Sequence, residues 1–261
     1  MFRKMWRRAQ RWVARRAVLP AVIRDDGGRL PPHLSRKAWA FGVFAFLLSY
    51  GWLFTYVHVR ADTQACLLRL DDPLYRIIPL NLHWDILNWG IYMALTATCT
   101  VAMLLQAALG DHRPIVRFGS GLAIMGLLRG LCILLVPLCR VNSEPGSVVF
   151  TTVPTLDLFG LHIPFRAWAK NDMLFSGHVG EFLLLIRLTK SWPRFARGVL
   201  VVFFCLQLFG LLSTRAHYTV DIILAIPCAY FADRMAVHIL ALLSPSRLPS
   251  ARAALDLSSK P

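Results

Sequence analysis

Ser213-Thr214-Arg215-Ala216-His217-Tyr218-Thr219-Val220-Asp221 leads into a long apolar run that reaches Asp233-Arg234. His217 and Asp221 stand four residues apart at its head. On a helix that spacing puts two side chains on one face, one turn apart. An imidazole held by a carboxylate is both oriented and made basic. A second stretch, Asp172-Met173-Leu174-Phe175-Ser176-Gly177-His178, sets another histidine at the head of another apolar run. The remainder reads as scaffolding that brings these two helix heads together in a membrane.

Composition agrees. The 261 residues are 56% apolar and only 16% charged, where soluble chains carry about 25% charged residues. Several stretches approach the roughly 20 apolar residues a transmembrane helix needs. The net charge of +15 is concentrated before the first apolar run, where Lys and Arg mark a flank facing anionic lipid rather than a nucleic-acid surface. The six cysteines have no paired short spacing, so no zinc or redox motif follows. Four fall in apolar runs as packing residues. Cys66 and Cys139 share the non-cytoplasmic side, where a disulfide can form.

The expected fold is all-α and polytopic, with six spans and an N-terminal interfacial helix. Residues 1–37 form a cytoplasmic basic segment. Within it, 1–24 read as an amphipathic helix lying in the headgroup plane, with Phe2, Met5, Trp6 and Trp12 on one face and arginines on the other. Residues 38–243 form the membrane domain, and 244–261 a loose cytoplasmic tail. The spans cover about 38–58, 86–110, 118–139, 172–187, 198–214 and 217–234, and Met235 to Leu243 either continues the last or lies along the surface. Residues 140–171 are the longest loop. Eleven Lys and Arg precede the first span, which places the N-terminus in the cytoplasm. Six crossings return the C-terminus there, and His178 and His217 then fall at the same periplasmic or lumenal face.

Helix N-termini offer free N–H groups and a favourable dipole to phosphate. Two histidines at such ends, one braced by an acid, can divide phosphoryl transfer. His217, with Asp221 to stabilise its imidazolium, attacks phosphorus; His178 protonates the leaving alkoxide and later takes the acceptor's proton. Two interfacial histidines packed by neighbours are the plainer alternative.

These motifs resemble those of the sphingomyelin synthases, the head-group transferase branch of the type 2 phosphatidic acid phosphatase superfamily of lipid phosphatases. That family has an Asp shortly before Ser-Gly-His, then His-Tyr-x-x-Asp heading its last span. Asp172 to His178 and His217 to Asp221 match it, and Pro79-Leu80-Asn81 with Asp85 and Arg129 to Pro137 are weakly similar. The resemblance covers about residues 75–235. It implies a catalytic triad of His178, His217 and Asp221, working without metal or cofactor through a phosphohistidine.

Several departures bear on substrate. The superfamily's phosphatases carry Lys-x6-Arg-Pro, Pro-Ser-Gly-His and Ser-Arg-x5-His-x3-Asp. Here Arg113-Pro114 has Gln106 at the lysine position and falls at the cytoplasmic turn; Phe175 replaces the proline, and Leu211 stands where an arginine would. These point toward the transferase branch. Against it, Asn171 stands where a Gly usually precedes the Asp, and Val179 where a Thr follows the His.

Arg129 lies mid-span, where a charge marks function by default. Glu181, three residues beyond His178, sits at similar depth, so an Arg129–Glu181 pair is expected, or Arg129 on the lipid phosphate. Asp172, Ser176, Arg129, Glu181 and Tyr218 make up the expected substrate-binding set. Asp172 positions His217 or the acceptor, or caps span four. Lys170, Arg166 and Arg215 border the same face, as phosphate-steering groups or as interface anchors. Trp84, Trp89, Trp168 and Tyr218 read as the aromatic belt; one or two of them could cradle a quaternary ammonium, and nothing in the sequence selects which.

The resulting expectation is a membrane transferase. Its donor is a membrane phospholipid, its acceptor a lipid alcohol, ceramide or diacylglycerol, and its cargo phosphocholine or phosphoethanolamine. A hydrolase of the same fold and a non-enzymatic lipid-binding protein are the alternatives, and a homo-oligomer is left open.

Overall fold

A computed structural model describes residues 34–63, 70–81, 84–136, 138–139, 155–158, 161–164 and 175–244. The expected interfacial helix at 1–24, Asp172 and the tail beyond Ser244 lie outside the described residues. Among the described residues, six long helical segments follow one another. The first, α1, runs Arg36–Trp52, passes through a π-turn at Leu53–Val57 and ends with His58–Thr63. The others are α2 (Trp84–Ala108), α3 (Arg113–Leu135), α4 (Gly177–Leu188), α5 (Arg194–Ser213) and α6 (Thr219–Leu243). The protein is an all-α polytopic membrane protein: five of these helices are long and apolar enough to cross a bilayer.

The exception is α4. Its 12 residues span about 18 Å, short of a hydrocarbon core of about 30 Å. It is the most enclosed helix, packed on α3, α5 and α6, with Val179, Gly180, Glu181, Phe182, Leu184 and Leu185 all buried. A short helix suffices there because protein, not lipid, surrounds it. The last helix begins at Thr219 rather than His217, and it continues without a break past Pro227 to Leu243. The expected long loop contains an antiparallel hairpin, β1 (Thr155–Leu158) with β2 (Leu161–Pro164), in register Leu158 to Leu161. Apolar residues alternating around a tight connection favour that pairing over open loop.

The ends of the bundle are fixed by contacts between distant residues. The Ser35 hydroxyl donates to the Leu243 carbonyl at 2.6 Å, joining the start of α1 to the end of α6. At the opposite end the Asn81 N–H donates to the Ser213 carbonyl at 2.9 Å. The central helix is α3, half buried inside the protein. Small residues let its neighbours come close: a Cβ on Gly119 would lie 3.2 Å from the Gly42 carbonyl of α1, and one on Gly130 only 2.2 Å from the Trp52 ring. Gly130→Ala therefore drives a methyl into an indole ring. It is expected to destabilise the protein by about 1–3 kcal/mol, seen as a lower thermal transition of the purified protein. Gly51→Ala, with open space at its Cβ, serves as the matched control.

Candidate active site

The head of α4 is built by Phe175 and Ser176. Ser176 is its N-cap: the hydroxyl accepts from the Val179 N–H at 3.4 Å, and its own N–H donates to the Asp221 carbonyl at 3.1 Å. The two helix heads are thus joined through the backbone. Ser176 is fully buried and caps the helix. Phe175 has φ +44°, a left-handed conformation that costs a non-glycine residue about 1–2 kcal/mol. Its ring compensates by packing on Val179, Leu211 and Ala225. A proline, fixed near φ −65°, cannot occupy this position. The phenylalanine that departs from the phosphatase pattern therefore goes with a different backbone.

The head of α6 is reached through a tight reversal after α5. Arg215 adopts φ +52°, and the N–H groups of Arg215 and Ala216 donate to the carbonyls of Leu212 and Leu211. This is a Schellman motif with arginine where glycine is usual. His217 follows in the turn, with Tyr218 as the N-cap of α6. The carboxylate of Asp221 accepts from the Tyr218 N–H at 3.0 Å and lies 3.5 Å from His217 Nδ1. The expected neighbourhood of His217 and Asp221 is present, but it comes from a turn folded over the first helical residues. At 3.5 Å the interaction is chiefly electrostatic. Asp221 is 0% exposed and His217 5%, so little water screens it.

The two imidazoles meet. The ring centroids of His178 and His217 are 6.1 Å apart, inclined at 64°. Trp89 and Tyr92 of α2 hold His178 edge to face, at 5.2 and 4.4 Å between centroids. Arg129 reaches the same place from α3, donating from Nη1 to the Phe175 carbonyl at 3.2 Å. Its guanidinium rests against Gly177, where a Cβ would lie 2.3 Å from Nη1. The glycine of Ser-Gly-His makes room for that arginine.

One expectation is corrected. The Arg129–Glu181 pair does not form: Glu181 accepts from the Tyr92 hydroxyl, while Arg129 turns toward the head of α4. Glu181 lies one turn deeper and faces α2, beneath the Tyr92 ring that packs on His178. Tyr218 is completely buried, its hydroxyl donating to the Cys139 carbonyl at 2.9 Å, and so braces the turn. Asp172, Arg166 and Lys170 lie outside the described residues. Arg215 is turned toward Tyr75, its guanidinium 5.4 Å from that ring centroid.

The segment between α1 and α2 supplies residues that the motifs did not indicate. Asp72, 5% exposed, accepts from both the N–H and the hydroxyl of Thr219, capping the first turn of α6. The Tyr75 hydroxyl donates to the His217 carbonyl at 2.7 Å. Burial, and then the nearby Asp72 carboxylate, push the Tyr75 phenol far above its ordinary range, so it stays a donor. The signal for this brace was Asp72-Pro73, an acid directly ahead of proline, which marks a helical start. Asp72→Ala is expected to cost about 1–2 kcal/mol of stability, as lost caps do, and to lower turnover severalfold through a loosened His217. Asp72→Asn, keeping an acceptor, should retain more of both in thermal and activity measurements.

Residues 171–237 match the PAP2 superfamily C-terminal family model. The match spans about a quarter of the chain and takes in α4, α5, most of α6 and both histidines. It supports a membrane enzyme of the lipid phosphatase or phosphotransferase type, acting on phosphoesters. No curated protein matches the chain.

Proposed function

We propose that the protein is a phospholipid head-group phosphotransferase of the sphingomyelin synthase-like branch. It moves phosphocholine or phosphoethanolamine from a glycerophospholipid to ceramide or diacylglycerol. The observation that carries this reading is the 6.1 Å separation of the His178 and His217 rings, close enough for both to address one phosphorus atom. With Nδ1 toward Asp221, His217 presents Nε2 to substrate. In the first half-reaction Nε2 bonds to phosphorus, the bond to the diacylglycerol oxygen breaks, and His178 donates a proton to that oxygen. In the second, His178 takes the proton of the acceptor hydroxyl, whose oxygen displaces Nε2 and returns His217 to its starting state. Asp221 stabilises the positive imidazole between the two steps.

The choice of a phosphodiester over a phosphomonoester rests on charge. A monoester carries about −1.5 to −2 near neutral pH, a diester a single negative charge. The basic groups of the phosphatase pattern are missing from this face: Leu211 is buried in an apolar cluster, and Arg113 is held by Asp111 near the start of α3, at the far end of the bundle. Among the described residues, the guanidinium of Arg129 stands behind the helix head, and this suits a singly charged diester. The active face is assigned to the periplasmic or lumenal side. Supporting this, Cys139, whose carbonyl receives the Tyr218 hydroxyl, is disulfide-bonded, while Cys99, Cys132, Cys205 and Cys228 are free. Disulfides persist in oxidising compartments.

Purified protein supplied with labelled phosphatidylcholine or phosphatidylethanolamine, with ceramide or diacylglycerol, tests the reading. New labelled phospholipid that requires an acceptor is the expected product. Free phosphate or a freed phosphorylated head group, without new phospholipid, would instead identify a hydrolase.

A further inference from the structure

At the end of the bundle opposite the histidines, Asp233 of α6 is buried, its side chain 1% exposed, and serves two arginines from two other helices. Arg117 of α3 donates Nε to Oδ1 at 2.7 Å and Nη2 to Oδ2 at 2.9 Å. Arg187 of α4 donates Nε to Oδ2 at 2.6 Å. One carboxylate therefore answers two guanidiniums, and the group keeps a net positive charge. Arg187 also lies over the Tyr230 ring, 4.7 Å from its centroid, which holds the guanidinium plane in place.

Among the described residues, Arg187 gives protein acceptors a single hydrogen bond, through Nε, and its Nη groups give none. Its side chain is 23% exposed and that of Arg117 20%, so the spare donors are reachable from outside. Among the described residues, the surroundings add no compensating acid. Lys37, Arg194 and Arg197 share this end, and the other described acid there, Asp111, is held by Arg113. Arg117 lies four residues inside α3, about 6 Å from its end.

We infer that Arg187 and Arg117, fixed by Asp233 and Tyr230, form a binding site for the phosphate of an anionic phospholipid in the leaflet opposite the active site. Excess charge at the edge of a low-dielectric region is costly until an anion answers it. The arginine fork matches a pair of phosphate oxygens. An anionic lipid fits better than a zwitterionic one, because the ammonium of a zwitterion already neutralises its own phosphate. The lipid held here is a resident one, remote from the two histidines and not turned over.

The full-length protein is purified in micelles containing phosphatidylglycerol and phosphatidylcholine at equal mole fraction, and retained lipid is counted by native mass spectrometry. Phosphatidylglycerol should be retained about tenfold over phosphatidylcholine, the size of one charge-assisted hydrogen bond. Arg187→Gln should narrow that ratio to about twofold or less, while Arg194→Gln, which removes an exposed charge at the same end, should leave it unchanged. If Arg187→Gln does not fold, Arg187→Lys, which keeps the charge but loses the fork, should narrow the ratio instead. Equal retention of the two lipids by the unaltered protein would overturn the inference, as would an equal effect of Arg194→Gln. Displacement of the lipid by millimolar inorganic phosphate would assign the site to a free anion and overturn it too.

Discussion

His217→Gln should reduce head-group transfer by about four orders of magnitude, the scale on which removing a nucleophile from a working group is felt. Glutamine keeps much of the volume and polarity of the ring but cannot form the covalent intermediate. His217 is 5% exposed and lies in a turn fixed by Tyr75 and Asp221, so the variant should keep its fold. His178→Gln should cost about 10²- to 10⁴-fold, as loss of a general acid and base does, in donor cleavage as well as acceptor capture. Steady-state transfer of a labelled head group measures both. The double variant should be scarcely slower than His217→Gln alone, because groups that act as one unit are strongly non-additive.

Arg129→Gln should lower turnover about 10²- to 10³-fold, the usual cost of losing a preorganised donor to developing negative charge. Gly177→Ala should act through the same side chain. Its new methyl would sit 2.3 Å from Arg129 Nη1, and because the guanidinium is the flexible partner, it is the arginine that must leave. Arg129→Gln combined with Gly177→Ala should then be little worse than Arg129→Gln alone, since one lesion contains the other. Glu181→Gln should behave differently with Arg129→Gln. Glu181 serves Tyr92 and not Arg129, so their losses should add. Additive losses for Arg129 and Gly177 would contradict the packing described here.

The membrane helices could be read from the sequence because a bilayer leaves the backbone few options, and uncharged runs mark where it crosses. The convergence of His178 and His217 on one end was equally legible, since the alternation of spans and the Lys/Arg asymmetry are independent of the motifs. What the sequence hid is local and three-dimensional. The four-residue spacing of His217 and Asp221 suggested one helical face, but a proximity can be made equally by a turn, and here Tyr218 caps the helix between them. The positive φ of Phe175 and Arg215 has no signature in residues that normally avoid it. Glu181 and Arg129 were matched in depth, but depth along an axis does not determine which way a side chain turns. Nothing in the sequence singles out Tyr92 from the other aromatics of the apolar runs as the partner of Glu181. The brace from Asp72 and Tyr75 arises 142 residues or more away in sequence from the parts it holds, and only its local capping signal was visible beforehand.

The claim that joins the motif, the geometry and the chemistry is that His217 carries the phosphate-bearing head group between donor and acceptor. The direct measurement is mass spectrometry of the protein after brief exposure to donor phospholipid with no acceptor present. The expected result is the head-group phosphate attached to the peptide bearing His217, absent from His217→Gln and discharged when ceramide or diacylglycerol is added. An adduct on another residue, or one on His217 that an acceptor leaves in place while transfer proceeds, would contradict it.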